Sequence, residues 1–332
     1  MNKVYKIEIS AKTIIFTIAI LLLLKLLFVV KELIFSVFIA FIVMSALNPL
    51  VSYLKTKKIP RGISSFFVFV LLISGIVYLL TWILPLIIQE TRLLLKNLPV
   101  LIENLNRSFN LELDRDFVST YIPNITTNAF VLFREIFSNL VFIISTLFFS
   151  FYFLVEENVI RKFFLRFFET RKAHSVAQMF DRAEKRMRAW FWGELTLMVV
   201  IGVMTFIGLN LIGVRYPIPL SIIAGLLEIV PVLGPIVSAV PALIVASSDS
   251  YFLGLATVAL YFVIQQLENQ VVVPLVMRRV VGLNPVVTLA ALIVGGKVAG
   301  VVGILLAIPT TLFVETILVE LAKGRALENQ EE

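Results

Sequence analysis

Glu228 is the first residue whose surroundings ask for a chemical role. It stands in Ala224-Gly-Leu-Leu-Glu-Ile-Val-Pro-Val-Leu-Gly-Pro-Ile236, a carboxylate inside an apolar stretch. An ionisable group at membrane depth is costly enough that function is its default reading. Pro231, Gly234 and Pro235 follow it closely. Breakers of this kind free backbone carbonyls and helix ends, which could join the carboxylate in holding a proton or a cation. The plain alternative is structural, with Glu228 capping the next helix or plugging a gap between helices.

A second constellation is Gln265, Gln266, Glu268, Asn269 and Gln270. Gln265, Glu268 and Asn269 stand at i, i+3 and i+4, so one helix face carries two amides and a carboxylate. Such a face can hydrate a pathway or coordinate a polar solute; equally, it can mark a helix end that has reached the headgroups. Pro274 then breaks the helix before Arg278 and Arg279, which read as topology anchors. Lys25 can snorkel from one end of its span. Lys297, in Gly296-Lys-Val-Ala-Gly300, falls in the turn of a possible hairpin, and Glu315 and Glu320 read as interfacial.

Enzyme constellations are missing. His174 is the one histidine, there is no cysteine, and no G-x-x-x-x-G-K-[ST] loop or His-Glu-x-x-His helix occurs. The expectation is a protein that is not an enzyme and needs no cofactor and no metal.

The elements that must position these residues are written in the composition. Of 332 residues 59% are hydrophobic and 15% charged, whereas a soluble domain has about a quarter charged. A helix crosses a bilayer in about 20 apolar residues. Uncharged runs near that length cover 33–54, 62–89, 136–155, 195–214 and 229–248, with interrupted ones at 13–30, 250–267 and 280–314. The fold class expected is all-α, a polytopic transmembrane helical protein of about seven to eight spans with broken or re-entrant helices in the C-terminal half. Continuous apolar runs argue against a β-barrel. The first run lacks a small-residue cleavage site and reads as an uncleaved span.

Basic residues set the orientation. Lys3, Lys6 and Lys12 precede the first run, and Lys55, Lys57, Lys58 and Arg61 separate the second from the third. Both segments are expected in the cytoplasm, with the N-terminus. Residues 90–128, with four basic and five acidic residues, are expected outside, and 156–188, with nine basic and five acidic, inside. Within the latter, Ile160, Phe163, Phe164, Phe167 and Phe168 form one apolar stripe of an interfacial or packed helix. The net charge of +7 is topology rather than a nucleic-acid signal. The division expected is 1–88 for N-terminal spans, 89–128 for an outer helical cap, 129–155 for a further span and 156–188 for a cytoplasmic amphipathic segment. A transmembrane core with broken-helix hairpins then fills 189–322, and 323–332 is a polar tail. The partners expected are the lipid bilayer, a small molecule or ion, and further copies of the chain.

The C-terminal part is punctuated by Pro231, Gly234, Pro235, Pro241, Pro274, Pro285, Gly300, Gly303 and Pro309, which are expected to mark breaks in helices. It also echoes itself. Pro217 and Pro241 are 24 residues apart, as are Pro285 and Pro309, with both pairs displaced by 68, and Ala239-Val240-Pro241 matches Ala307-Ile308-Pro309. Two copies of a broken-helix hairpin would produce this pattern, which is a pointer to a transporter's binding site.

These blocks resemble a known family. Glu228-Ile-Val-Pro-Val-Leu-Gly-Pro-Ile-Val-Ser-Ala-Val-Pro241, Gln266-Leu-Glu-Asn-Gln-Val-Val-Val-Pro274, Leu283-Asn-Pro285 and Gly300-Val-Val-Gly-Ile-Leu-Leu-Ala-Ile-Pro309 look like the signature blocks of the autoinducer-2 exporter family. Phe149-Ser-Phe-Tyr-Phe-Leu154 also fits, so that the likeness covers roughly residues 140 to 320. The resemblance implies a bacterial inner-membrane transporter of seven or eight spans. Its members are linked to export of a signalling molecule or to sodium(lithium)/proton antiport. It carries possible functional positions over to Glu228, Pro231, Gly234, Pro235, Gln266, Glu268, Asn269 and Pro274. The competing expectation is a non-transporting membrane scaffold for envelope or division proteins.

Overall fold

The structure is a computed structural model that describes residues 11–109, 140–156, 162, 165–166, 170–231, 233–277 and 283–331. The residues at 160, 163, 164, 167 and 168, and Arg278 and Arg279, lie outside the described residues, as does the part of the expected outer cap beyond Phe109.

The chain is all-α: the described residues contain helices and no strand. Its elements are α1 (Ala11–Val29), α2 (Lys31–Thr56), α3 (Arg61–Phe109), α4 (Leu140–Val155), α5 (Thr170–Leu211), α6 (Pro217–Leu227), α7 (Leu233–Asp249) and α8 (Tyr251–Leu267). A π-helical turn (Glu268–Val272), α9 (Val273–Val276) and α10 (Pro285–Glu331) complete it. Among the described residues five helical stretches are long and apolar enough to cross a membrane: Lys31–Thr56, Arg61–Leu94, His174–Leu211, Tyr251–Val276 and Pro285–Lys323. Their outward faces are oily, with Trp82 72% exposed and Phe252 82% exposed. Water would penalise that surface, whereas lipid tails do not.

Helices α1 and α2 follow one another through Val30 alone. The backbone ladder runs across the junction, with Val30 N–H donating to Leu26 O and Ile34 N–H to Val30 O, so the two do not fold back as an antiparallel pair. Helix α3 has 49 residues, roughly 73 Å at 1.5 Å per residue, and overshoots a hydrocarbon core of about 30 Å. The described part of the expected cap is this far end of α3. Leu94, Leu98 and Leu101 there pack with Leu209 of α5, Leu220 of α6 and Ala242, Val245 and Ala246 of α7. Asn97 Nδ2 donates to the Tyr216 hydroxyl at 2.7 Å.

The opposite pole is basic and tied by polar contacts. Arg61 Nε and Ser65 Oγ both donate to the Leu154 carbonyl, at 3.1 and 3.0 Å, where it emerges from the end of α4. Arg61 Nη2 reaches Asn48 Oδ1 at 3.2 Å, and Asn48 Nδ2 donates to Glu184 Oε1 at 2.7 Å. One chain of bonds therefore joins α2, α3, α4 and α5. Above it lies a core of Phe41, Leu47, Val51, Leu154, Met187, Trp190, Leu306 and Leu312.

Two hairpins complete the C-terminal half. Helices α6 and α7 enter and leave at the pole of Tyr216, where Arg215 Nε donates to Asp249 Oδ2 at 2.8 Å. Helix α6 has only 11 residues, roughly 16 Å, so its tip stops inside the bilayer. Helix α10 is itself a hairpin, because Ala299 (φ −142°) and Gly300 (φ 56°, ψ −134°) leave helical geometry. From Pro285 to that kink is roughly 21 Å, again short of a crossing. The Gly300 backbone is in a region closed to L side chains, and the arms touch backbone to backbone, since a side chain at Gly303 would fall on the Gly295 carbonyl. Leu283 packs on the basic-pole core and Glu315 pairs with Arg186, so this hairpin enters and leaves at the basic pole. The two hairpins point into the membrane from opposite sides. Each opens with its proline: the first leaves the helix at Glu228, 11 residues after Pro217, and the second turns at Ala299 and Gly300, 14 to 15 residues after Pro285.

Candidate functional site

The tip of the first hairpin is held against α5. Ser221 and Gly225 of α6 approach Gly202, and a side chain at Gly225 would fall on the Met198 carbonyl. The two helices run antiparallel, so one turn further along α6, at Glu228, corresponds to one turn back along α5, at Glu194. Register thus brings two carboxylates to the same depth.

The third carboxylate comes from α8. This helix crosses from its N-cap, where Ser250 Oγ accepts from Leu253 N–H at 3.2 Å, and becomes π-helical at Glu268. A π turn adds a residue per turn, rotates the following side chains, and often occurs at functional positions. Here Glu268 points inward and is 6% exposed, as Glu194 is, while Glu228 is 4% exposed.

Glu228 and Glu268 are within hydrogen-bonding reach of each other, and Glu194 is close enough for its charge to act on both. Gln265 Nε2 donates to Glu268 Oε2 at 3.1 Å. Glu228 Oε2 is buried without a hydrogen-bond partner. Behind it the backbone turns tightly: Glu228 N–H donates to Ala224 O and Gly234 N–H to Val230 O, at 3.2 and 2.8 Å. Gly234 is required there, because a side chain on it would occupy the space of the Leu227 carbonyl.

The structure therefore brings Glu228, Gln265 and Glu268 together. Gln266 and Asn269 lie on the exposed face of the same segment, as does Gln270. Pro231 is in the turn, Gly234 and Pro235 open α7, Pro274 opens α9, and Pro285 opens α10. Gly300 makes the second turn and Gly303 packs it. Four expected breaks are corrected: Pro241 lies inside α7, Pro274 inside the continuous stretch Tyr251–Val276, and Gly303 and Pro309 inside the returning arm of α10. Neighbouring helices can re-satisfy the backbone groups that such a proline frees. Lys25 and Lys297 are exposed, and Glu315 and Glu320 are engaged with Arg186 and Arg182.

Glu194 escaped the sequence reading, which began an apolar run at residue 195. The signal was present in its distance from Arg188, six residues, or roughly 9 Å along a helix. That is deep enough to leave the headgroups.

Among the described residues no group of three His, Cys, Asp or Glu side chains has an arrangement suited to a metal ion. Desolvated carboxylates can take up and release a proton, here in a place reached by the ends of broken helices.

Comparison with known proteins places this arrangement in context. The family model described as AI-2E family transporter matches residues 14–323. The chain is 25% identical over 310 residues to the putative transport protein YrrI of Bacillus subtilis, covering 88% of this chain and 86% of that one. It is 27% identical over 302 residues to YueF, a putative transport protein of the same organism, covering 84% and 82%. The AI-2 transport protein TqsA of Escherichia coli K12 is 23% identical over 309 residues, covering 89% and 88%.

Proposed function

The chain belongs to the AI-2E transporter family, and from that premise we propose that this membrane transporter is a secondary carrier coupled through Glu194, Glu228 and Glu268. The carrying observation is the Glu228 carboxyl group. It is buried at the tip of a re-entrant hairpin, faces a second buried carboxyl group, and keeps one oxygen without a partner. Leaving such an oxygen unsatisfied is costly, and the cost is recovered whenever a proton or cation binds there. The cargo is a small polar solute or ion. The resemblance to TqsA supports a signalling molecule such as autoinducer-2, and sodium(lithium)/proton antiport is the alternative. The carrier does no bond-making chemistry.

The basic pole, with Lys55, Lys57, Lys58 and Arg61, faces the cytoplasm of a bacterial inner membrane by the positive-inside rule. Gln266, Asn269 and Gln270, exposed at membrane depth, open on water or on another copy of the chain.

The test is flux in liposomes of equal protein content, with autoinducer-2, Na+ and H+ as candidates. Glu228→Gln keeps shape and removes charge; it is expected to abolish coupled flux with expression and melting temperature retained. Undiminished flux in Glu228→Gln and Glu268→Gln would reduce the carboxylates to structural plugs, and no flux of any candidate in the parent would favour a scaffold.

A further inference from the structure

Helix α5 carries two oppositely directed sets of contacts at the basic pole. On one side Glu184 is held by Asn48, and through it by Arg61 and the Leu154 carbonyl, at groups that are buried or half-buried. On the other side, Arg182 and Arg186, one turn apart, reach across to the returning arm of α10. Arg186 Nη2 pairs with Glu315 at 2.8 Å, Arg186 Nη1 donates to Thr316 Oγ1 at 2.9 Å, and Arg182 pairs with Glu320. The Arg182 and Glu320 side chains are 53% and 14% exposed, and those of Arg186 and Glu315 26% and 38%. Each pair thus keeps one member in water, and ion pairs at a solvent edge contribute little each.

Beneath these pairs the seam is apolar. Phe180 meets Phe313 edge-on, ring centroids 5.5 Å apart, and Ala183, Met187 and Trp190 continue the same α5 stripe at one-turn spacing. The Trp190 indole N–H is buried there with no hydrogen-bond partner. An unsatisfied buried donor is unfavourable, and it gains a partner as soon as water enters the seam. About two turns above Met187 on the same helix stands Glu194 of the carboxylate cluster.

We propose that Arg182–Glu320 and Arg186–Glu315/Thr316 form a latch between α5 and the second re-entrant hairpin, and that its release opens the carboxylate cluster to the basic side of the membrane. The asymmetry of α5 directs the motion: its anchor is one linked set of bonds shared by α2, α3 and α4 and holds, while the separate pairs to α10, each with one member in water, part. This proposal rests on the transport reading for its purpose, but the opening itself can be measured without transport.

The chain has no cysteine, so a single Ala183→Cys gives a buried probe of nearly unchanged size. Its reaction rate with a maleimide in detergent is expected to rise several-fold when Glu315→Gln and Glu320→Gln are added. It should fall back when Arg186→Glu is combined with Glu315→Arg in place of Glu315→Gln. An unchanged rate on removing both carboxylates would overturn the latch. In liposomes, cross-linking Arg182→Cys to Glu320→Cys with a short bis-maleimide should bring proton flux, followed with an entrapped pH dye, to the level of protein-free vesicles. The single variants treated alike cannot be bridged and should keep flux well above that of protein-free vesicles. Full flux after complete cross-linking would overturn the gating role, whereas a parent without flux counts against the transport reading and leaves the labelling result to decide the latch.

Discussion

Glu194 and Glu228 sit in equally apolar surroundings, yet only Glu228 announced itself. Its neighbours Pro231, Gly234 and Pro235 flag a helix break in the sequence, while Glu194 is flanked by Trp192, Gly193 and Leu195 within one long helix. Its partnership with Glu228 depends on the register of two antiparallel helices, set by Gly202, Ser221 and Gly225. Tertiary register of that kind has no local signature. If the cluster works as a unit, Glu194→Gln should impair coupled flux as Glu228→Gln does, and the double variant should lose little more than either alone, because groups acting together are not additive. Flux of the three proteins in liposomes checks this; parental flux in Glu194→Gln would separate Glu194 from the site. Gly234→Ala tests the support beneath it. The added methyl meets the Leu227 carbonyl, so a loss of about 1–3 kcal/mol, typical of overpacking, is expected as a lower melting temperature in detergent.

At the level of elements, the 68-residue echo of prolines foretold two hairpins, and Pro217 and Pro285 do begin their first arms. Pro241 and Pro309 repeat with equal fidelity without breaking anything, since the repeated feature is the packing of a returning helix and not an interruption. Periodicity in the sequence reports which positions are equivalent. It does not report whether a freed carbonyl finds another partner, which is what decides between a kink and a straight helix. The second turn rests on Gly300, whose φ of 56° and ψ of −134° cost a non-glycine residue about 1–3 kcal/mol. Gly300→Ala should therefore lower the melting temperature of the detergent-solubilised protein. Gly75→Ala, on the open face of α3 where an added side chain meets nothing, should leave it unchanged or raise it slightly, as Gly in a helix interior costs roughly 0.5–1 kcal/mol relative to Ala. Equal responses at the two sites would mean that the Gly300 turn is not what shapes the hairpin.

For the whole molecule, charge and geometry divide the work of fixing orientation. The loop charges separate a basic pole, holding Lys57, Arg182, Arg186 and Lys323, from a pole marked by Asn97, Tyr216 and the Arg215–Asp249 pair. That division was legible in the sequence because positive charge in short loops resists translocation. The path between α1 and α2 was not, because two apolar runs separated by Lys31 and Glu32 look like two crossings whether or not the chain turns between them. The backbone ladder continues through Val30, so α1 does not fold back along α2, and the lysines at the two ends give separate inferences of orientation. Single cysteines in this cysteine-free chain can separate the two inferences in intact cells. Lys57→Cys is expected to be protected from a membrane-impermeant thiol reagent and Glu103→Cys, exposed on the far end of α3, to be labelled; the reverse would invert the poles. Lys12→Cys should not share the protection of Lys57→Cys if α1 extends α2 away from the basic pole. Protection of both would mean that α1 returns to the cytoplasmic side, and that the junction at Val30 bends in the membrane far more than its hydrogen bonds show.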